Sequence, residues 1–216
     1  MSHRALTEPV GAWFCDGTDG ERGFFCRADD HVFKVPEVSD ILEGSGLFVS
    51  FDGIDPFYAE RGSAVHKAIA LDTIGNLDES SLDPAIEGFF LAYRAFCEDT
   101  GTAPQDDGIL FEQPLLAPDL TFGGVVDRVQ PLMPTHYRVI DWKAGSIDSD
   151  RYRAQMGAYE ELLRHRFRHE PAAEFELWLV QLRADSSYRI REVGSLVASS
   201  LWLQAKTVYH SNRRNA

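Results

Sequence analysis

Two carboxylates and a lysine stand at spacings that suit hydrolysis of a phosphodiester. Asp127 lies in Gly123-Gly124-Val125-Val126-Asp127-Arg128-Val129, and Asp141 and Lys143 lie in Arg138-Val139-Ile140-Asp141-Trp142-Lys143. Both stretches read as strands, whose side chains alternate between faces with a period of two. Asp127 therefore shares a face with Val125 and Val129, and Asp141 shares one with Lys143. Paired as an antiparallel hairpin, the strands bring the three charged groups to one spot. Two acids and a lysine on an apolar ladder are costly to bury without compensation. A divalent cation held by both carboxylates is the simplest compensation. Carboxylate oxygens suit Mg²⁺, which is commonly shared with substrate phosphates. Such a cation lowers the pKa of a bound water and stabilises charge on the attacked phosphate, while the lysine positions that water and helps deprotonate it. Taken alone, Asp-x-Lys reads more often as a half-exposed ion pair on a sheet surface.

Further candidates surround this pair. Gln155 and Tyr159 are four residues apart on a predicted helix and so share a face, either beside the site or at the edge of the core. His66 sits in an earlier helix, a ligand or an ordinary helical histidine. Glu112 interrupts Ile109-Leu110-Phe111 and is either part of the site or a solvent-facing alternate position. Arg164, Arg166 and Arg168, with His165 and His169, close the Gln155 helix. They complement its macrodipole or track phosphates.

The elements that must hold these groups are legible. Asp55-Pro56 and Asp83-Pro84 are helix starts, an N-cap carboxylate followed by proline at the first helical position. These helices are expected to run to about Ile74 and to Gly101. Ser39 is expected to cap a short helix through Leu42. Strands are expected at 109–116, 120–131, 136–143, 175–183 and 188–193, with helices at about 150–167 and 195–210. The order predicts a mixed α/β fold, a small mixed sheet flanked by helices. Residues 1–35 read as an irregular segment, turn-rich from Gly11 to Gly23, with a possible hairpin across Asp29-Asp30. Residues 36–216 read as one domain.

Composition narrows the class. The 216 residues carry 21 Lys+Arg and 34 Asp+Glu, a formal charge of −13. Taken whole, that opposes a nucleic-acid partner, but the deficit is uneven. Residues 1–120 hold 7 basic and 23 acidic side chains, whereas 121–216 hold 14 and 11. No apolar run is long enough to span a membrane, and no secretory signal is visible. Three irregularly spaced cysteines argue against a disulfide framework and for a cytoplasmic setting. No Cys-x-x-Cys, His-Glu-x-x-His, Gly-x-Ser-x-Gly or phosphate-binding Gly-x-x-x-x-Gly-Lys-Ser/Thr motif occurs.

In order, the chain shows RGSAVHKA, FEQPLL, FGGVVDRV, VIDWKAG and YRAQMGAYEELL. This series resembles the PD-(D/E)XK nuclease superfamily with its restriction-endonuclease-like core, and within it the RecB-like branch. The segment VPEVSDILEGSGL followed by AERGSAVH resembles phage and prophage exonucleases of that branch. The resemblance implies a DNA exonuclease dependent on Mg²⁺ or Mn²⁺, acting in recombination, repair or phage DNA metabolism. It makes His66, Asp127, Asp141 and the Trp142 carbonyl metal ligands and Lys143 the catalytic lysine, with Asp127 and Asp141 also catalytic. Glu112 is secondary, and Arg151, Gln155, Tyr159 and Arg164 line the site or contact DNA. Absence of any cysteine after Cys97 implies no iron–sulfur cluster. The partner implied is DNA, single-stranded or duplex ends, with a recombination or single-strand-binding protein to help hold it. An endonuclease of the same fold, or a catalytically idle DNA-end-binding subunit, are the alternatives. Oligomeric state is open.

Overall fold

In the computed structural model, residues 12–17, 21–28, 31–49, 55–102 and 109–214 are described. A three-stranded antiparallel sheet comes first, formed by β1 (Ala12–Cys15), β2 (Gly23–Ala28) and β3 (His31–Val35). Helices α1 (Val38–Gly44), α2 (Pro56–Thr73) and α3 (Pro84–Thr100) follow, with a short 3-10 turn at Glu79–Ser81. The main sheet holds β4 (Leu110–Leu116), β5 (Gly123–Met133), β6 (His136–Lys143), β7 (Glu174–Leu182) and β8 (Tyr188–Val193) in that spatial order. Helix α4 (Asp150–Arg166) crosses between β6 and β7, the one parallel pair of this sheet, and α5 (Ser195–Arg214) ends the chain. This is the mixed α/β architecture that the sequence predicts.

The helices start where their chemistry dictates. Asp55, Asp83 and Ser149 accept hydrogen bonds from the backbone N–H of Phe57, Ala85 and Arg151, satisfying donors that a first turn leaves orphaned. The short first helix differs from expectation: Glu37, not Ser39, is its N-cap. The Asp40 carboxylate accepts the Glu37 N–H at 2.9 Å, which fixes the start earlier.

Side-chain alternation decides what the main sheet shows to each layer. Ile140, Trp142, Val180 and Leu182 pack with α2 and α3, while Val139, Leu177 and Leu179 pack with α1, α4 and α5. Trp142, 1% exposed, meets Tyr93 and Phe96 edge-on at 5.4 and 5.1 Å between ring centres. Burying that indole beneath α3 obliges its neighbours Asp141 and Lys143 to point to the other face. On that face α4 approaches α5 so closely that a Cβ on Gly157 would lie 2.2 Å from the Ala198 carbonyl oxygen.

The described residues before 36 form more regular structure than the sequence suggests. β2 and β3 pair as the expected hairpin, whose Asp29-Asp30 turn lies outside the described residues. Ala12–Cys15, read as turn-rich, adds a third strand, with Trp13 stacked on Phe25 and Phe14 against Phe24. The buried Phe24 ring occupies the space a Cβ on Gly123 would need, docking this sheet on β5. Among the described residues no helix is long and apolar enough to cross a membrane.

Candidate metal centre and active site

The site forms where the main sheet opens. Pairing of β5 with β6 runs to Arg128 opposite Ile140, and beyond it the Trp142 N–H donates to Asp127 Oδ2 at 2.9 Å. A side-chain carboxylate thus takes the place of a backbone acceptor, and the strands part. On the other edge, Phe111 pairs with Arg128 and Gln113 with Val126, so Glu112 stands opposite Asp127. Glu112 has φ of 43°, a left-handed conformation that costs a residue with a Cβ about 1–2 kcal/mol. Such strain concentrates at functional sites.

His66 reaches this opening from α2. Its Nε2 donates to the Trp142 carbonyl oxygen at 3.0 Å, and Nδ1 lies 3.6 Å from Asp127 Oδ2 and 3.8 Å from Glu112 Oε1. One ligand atom from each of His66, Glu112 and Asp127 lies within 4.8 Å of the others. Beside them, Lys143 Nζ contacts Asp141 Oδ2 at 2.6 Å and lies 4.8 Å from the centre of the Tyr152 ring. Gln155 Nε2 donates to Tyr159 Oη at 2.7 Å, one helical turn apart. All of these line one open cleft of about 1340 Å³, larger than the usual small-molecule pocket.

Burial dominates the electrostatics. It pushes the Asp141 carboxyl up to about 6 against the pull of Lys143, and it raises Asp127 against that of His66. Burial acts to lower both cations, but the neighbouring carboxylates outweigh it. Asp127 and Glu112 carry His66 up to about 9, and Asp141 with Asp127 holds Lys143 above its ordinary value. The Tyr159 phenol is pushed well up, chiefly by burial and then by the Asp141 charge. Three carboxyl groups thus face one imidazole and one ammonium.

The donor set fits a hard divalent cation. Asp141 Oδ1 is buried with no hydrogen-bond donor, a position a cation or its water would satisfy. Glu112, Asp127 and His66, with Asp141 and the Trp142 carbonyl adjacent, supply oxygens and one imidazole nitrogen. That suits Mg²⁺, and the nitrogen admits Mn²⁺.

Two expectations follow from these charges. Folded His66 holds its proton to about pH 9, whereas the unfolded imidazole releases it near 6.5. Between those values the folded state binds more protons, so stability falls as pH rises. In EDTA the protein is expected to lose about 2 kcal/mol between pH 6.5 and 9, less than the full shift because solvent reaches a His66 side chain 28% exposed. A melting temperature that holds or rises across this interval, or a His66→Gln variant with the same slope, contradicts this. Glu112→Gly, which relieves left-handed strain and removes a carboxylate facing Asp127, is expected to melt no lower than wild type in EDTA. Glycine within a strand ordinarily costs about 0.5–1 kcal/mol. Its Mn²⁺ affinity, measured by calorimetry, is expected to fall at least tenfold.

The remaining candidates lie elsewhere. Arg151, in the first turn of α4, is buried, and its guanidinium stands 3.7 Å from Glu43 of α1. Arg164, at the opposite end of α4, donates through Nε and Nη2 to Glu160 Oε1 at 3.1 and 2.5 Å and covers the Phe175 ring. Neither side chain lines the cleft. Arg61, which the sequence alone does not single out, donates to the Ala144 carbonyl at 3.0 Å and so fixes the chain just beyond Lys143. Its signal was its place in RGSAVH, five residues before His66.

The sequence pattern of the PD-(D/E)XK nuclease superfamily matches residues 91–207, just over half of the chain. The match includes Glu112, Asp127, Asp141, Lys143, Gln155 and Tyr159, and leaves out His66. No curated protein matches the chain. With an open five-stranded sheet presenting Asp127 and Asp141-x-Lys143 to one cleft, and this match across them, the chain belongs to the PD-(D/E)XK nuclease superfamily.

Proposed function

We propose that the protein is a deoxyribonuclease dependent on Mg²⁺ or Mn²⁺ that hydrolyses phosphodiester bonds at DNA ends. The observation that carries this reading is the Asp141–Lys143 pair at 2.6 Å beside the His66, Glu112 and Asp127 group. His66, Glu112, Asp127 and Asp141 would hold the cation, with the Trp142 carbonyl beside them. When bound, the cation supplies Lewis-acid stabilisation of the phosphate and a more acidic water.

The protein's own groups do the rest. In the metal-free protein the Asp141 and Asp127 carboxylates hold Lys143 charged against burial, and so it donates hydrogen bonds. Of its three N–H donors one serves Asp141, and the others can hold a water or a phosphate oxygen as charge develops. Asp127 keeps β5 and β6 apart through the Trp142 N–H. Gln155 and Tyr159 form a hydrogen-bonded pair on the cleft wall, suited to orient the substrate strand.

Exonuclease action is preferred over endonuclease action because RGSAVHKA and the segment before it resemble phage exonucleases. Presence of the complete set His66, Asp127, Asp141, Lys143, Gln155 and Tyr159 speaks against an idle scaffold. Recombination, repair or phage DNA metabolism is the setting this reading favours. The charge of −13 favours a DNA-holding partner protein. Three free cysteines fit a reducing, cytoplasmic location. The test of mode is a matched pair of linear and covalently closed circular DNAs in Mn²⁺. The linear form is expected to be degraded progressively and the circle left intact. Nicking or linearisation of the circle would make the protein an endonuclease.

A further inference from the structure

We infer that Arg189 and Arg191 of β8 form a subsite for the DNA backbone, closed in the free protein by Asp148. This inference rests on the nuclease reading and adds the path by which the strand leaves the cleft.

The sheet register places the subsite. Lys143, Gln181 and Arg189 occupy matched positions across β6, β7 and β8, and Asp141, Leu179 and Arg191 occupy the next matched row. Matched positions in a sheet point to the same side, and strands are about 4.8 Å apart. Arg189 and Arg191 therefore share a face with the Asp141–Lys143 pair, about two strand spacings, roughly 10 Å, away. The carboxyl ends of β6 and β7 and the start of β8 form one end of the sheet. In open α/β sheets, ligands bind outside the carboxyl ends of parallel strands.

Both guanidinium groups currently grip one carboxylate. Arg189 Nη1 and Nη2 donate to Asp148 Oδ2 and Oδ1 at 3.1 and 3.3 Å, and Arg191 Nη1 donates to Oδ1 at 2.7 Å. That arrangement, two oxygens of an anion held by the forks of two arginines, is the one a phosphate diester takes. Asp148 lies in the turn between Lys143 and α4, flanked by Ser146 and Ser149 of the cleft rim. The two arginines and Asp148 are 47%, 29% and 53% exposed, so the cluster is open to a ligand and adds little to stability as an ion pair. Two cations against one anion leave a net positive charge there, in a chain whose total is −13.

The geometry sets an exchange: a backbone phosphate displaces the Asp148 carboxylate, and no covalent bond changes. An acid is then a brake on DNA binding, which is the opposite of what a stabilising ion pair predicts. The test is fluorescence anisotropy of a labelled DNA single strand against NaCl concentration, in EDTA so that nothing is cleaved. Arg189→Ala/Arg191→Ala is expected to weaken binding and to reduce the slope of log K on log salt by about 0.7 to 1.4, one to two phosphate contacts. Asp148→Asn is expected to bind severalfold tighter than wild type at low salt. An unchanged slope in the double variant, or an Asp148→Asn protein that binds no tighter, overturns the subsite. A wild type that cleaves DNA in Mn²⁺ while the variants behave this way refutes the subsite alone. A wild type that neither binds nor cleaves DNA refutes the nuclease reading with it.

Discussion

Lys143→Ala is expected to slow DNA cleavage by about 10²–10⁴-fold while leaving Mn²⁺ binding intact. The ammonium is 16% exposed and bonded to a carboxylate that is 1% exposed. Its removal takes away a positive charge next to the ligand carboxylates, so affinity for a divalent cation is expected to hold or rise. What is lost is donation to charge that develops only as the phosphodiester breaks, so the effect falls on kcat rather than on metal affinity. Without Lys143 the Asp141 carboxyl, already at about 6, moves further up, because burial and the Asp127 charge then face only the weaker pull of His66. Activity of Lys143→Ala is therefore expected to recover less at acidic than at alkaline pH. Lys143→Arg is not expected to rescue, since a planar fork does not fit a point contact at 2.6 Å under the Tyr152 ring. Cleavage within about fivefold of wild type, with full metal occupancy, would make Lys143 a structural partner of Asp141 only.

Asp127 separates two roles through two substitutions. Asp127→Asn keeps an oxygen that can accept the Trp142 N–H, now made at 2.9 Å, but removes the charge that a cation needs. It is expected to melt within a few degrees of wild type in EDTA and to cleave at least about 10²-fold more slowly. Asp127→Ala loses both, leaving a buried N–H without a partner at a cost of about 1–3 kcal/mol. Its melting temperature should therefore drop where that of Asp127→Asn does not. Equal stability of the two variants would mean that the carboxylate does not hold β5 and β6 apart. Asp141 is the contrast. The charge repulsion its removal relieves is offset by stranding Lys143, so Asp141→Ala gains no stability from the loss of a like charge.

How much of this was legible in the sequence depends on how local each feature is. Asp55-Pro56 and Asp83-Pro84 mark their helices unambiguously, because N-cap acceptance and the proline φ act within a few residues. The meander β4–β5–β6 follows from period-two alternation and turn residues. Face sharing by Asp141 and Lys143 follows from their separation by two. Other features depend on contacts far along the chain. Ala12–Cys15 is a strand because Trp13 and Phe14 find Phe25 and Phe24 across the ladder, which a turn-rich neighbourhood conceals. Glu112 is no more than secondary in the sequence because alternation allows a solvent-facing glutamate there. Its left-handed φ and its place opposite Asp127 arise only once β4 and β5 pair. Arg164 illustrates the converse. A last-turn arginine has the same sequence context whether it meets a phosphate or, as here, a glutamate one turn back. The charge of −13 also changes meaning once placed: Glu112, Asp127 and Asp141 are three of the acids behind it, and together they line the cleft proposed to hold the cation.

The most direct test is a cleavage assay on linear DNA with purified wild-type protein in Mg²⁺, in Mn²⁺ and in EDTA, run beside Lys143→Ala and Asp127→Asn. The expected result is cleavage by wild type in either metal, none in EDTA, and a loss of at least about 10²-fold in both variants. Cleavage in EDTA, no cleavage by wild type in either metal, or variants as active as wild type would contradict a metal-dependent nuclease built on Asp127, Asp141 and Lys143.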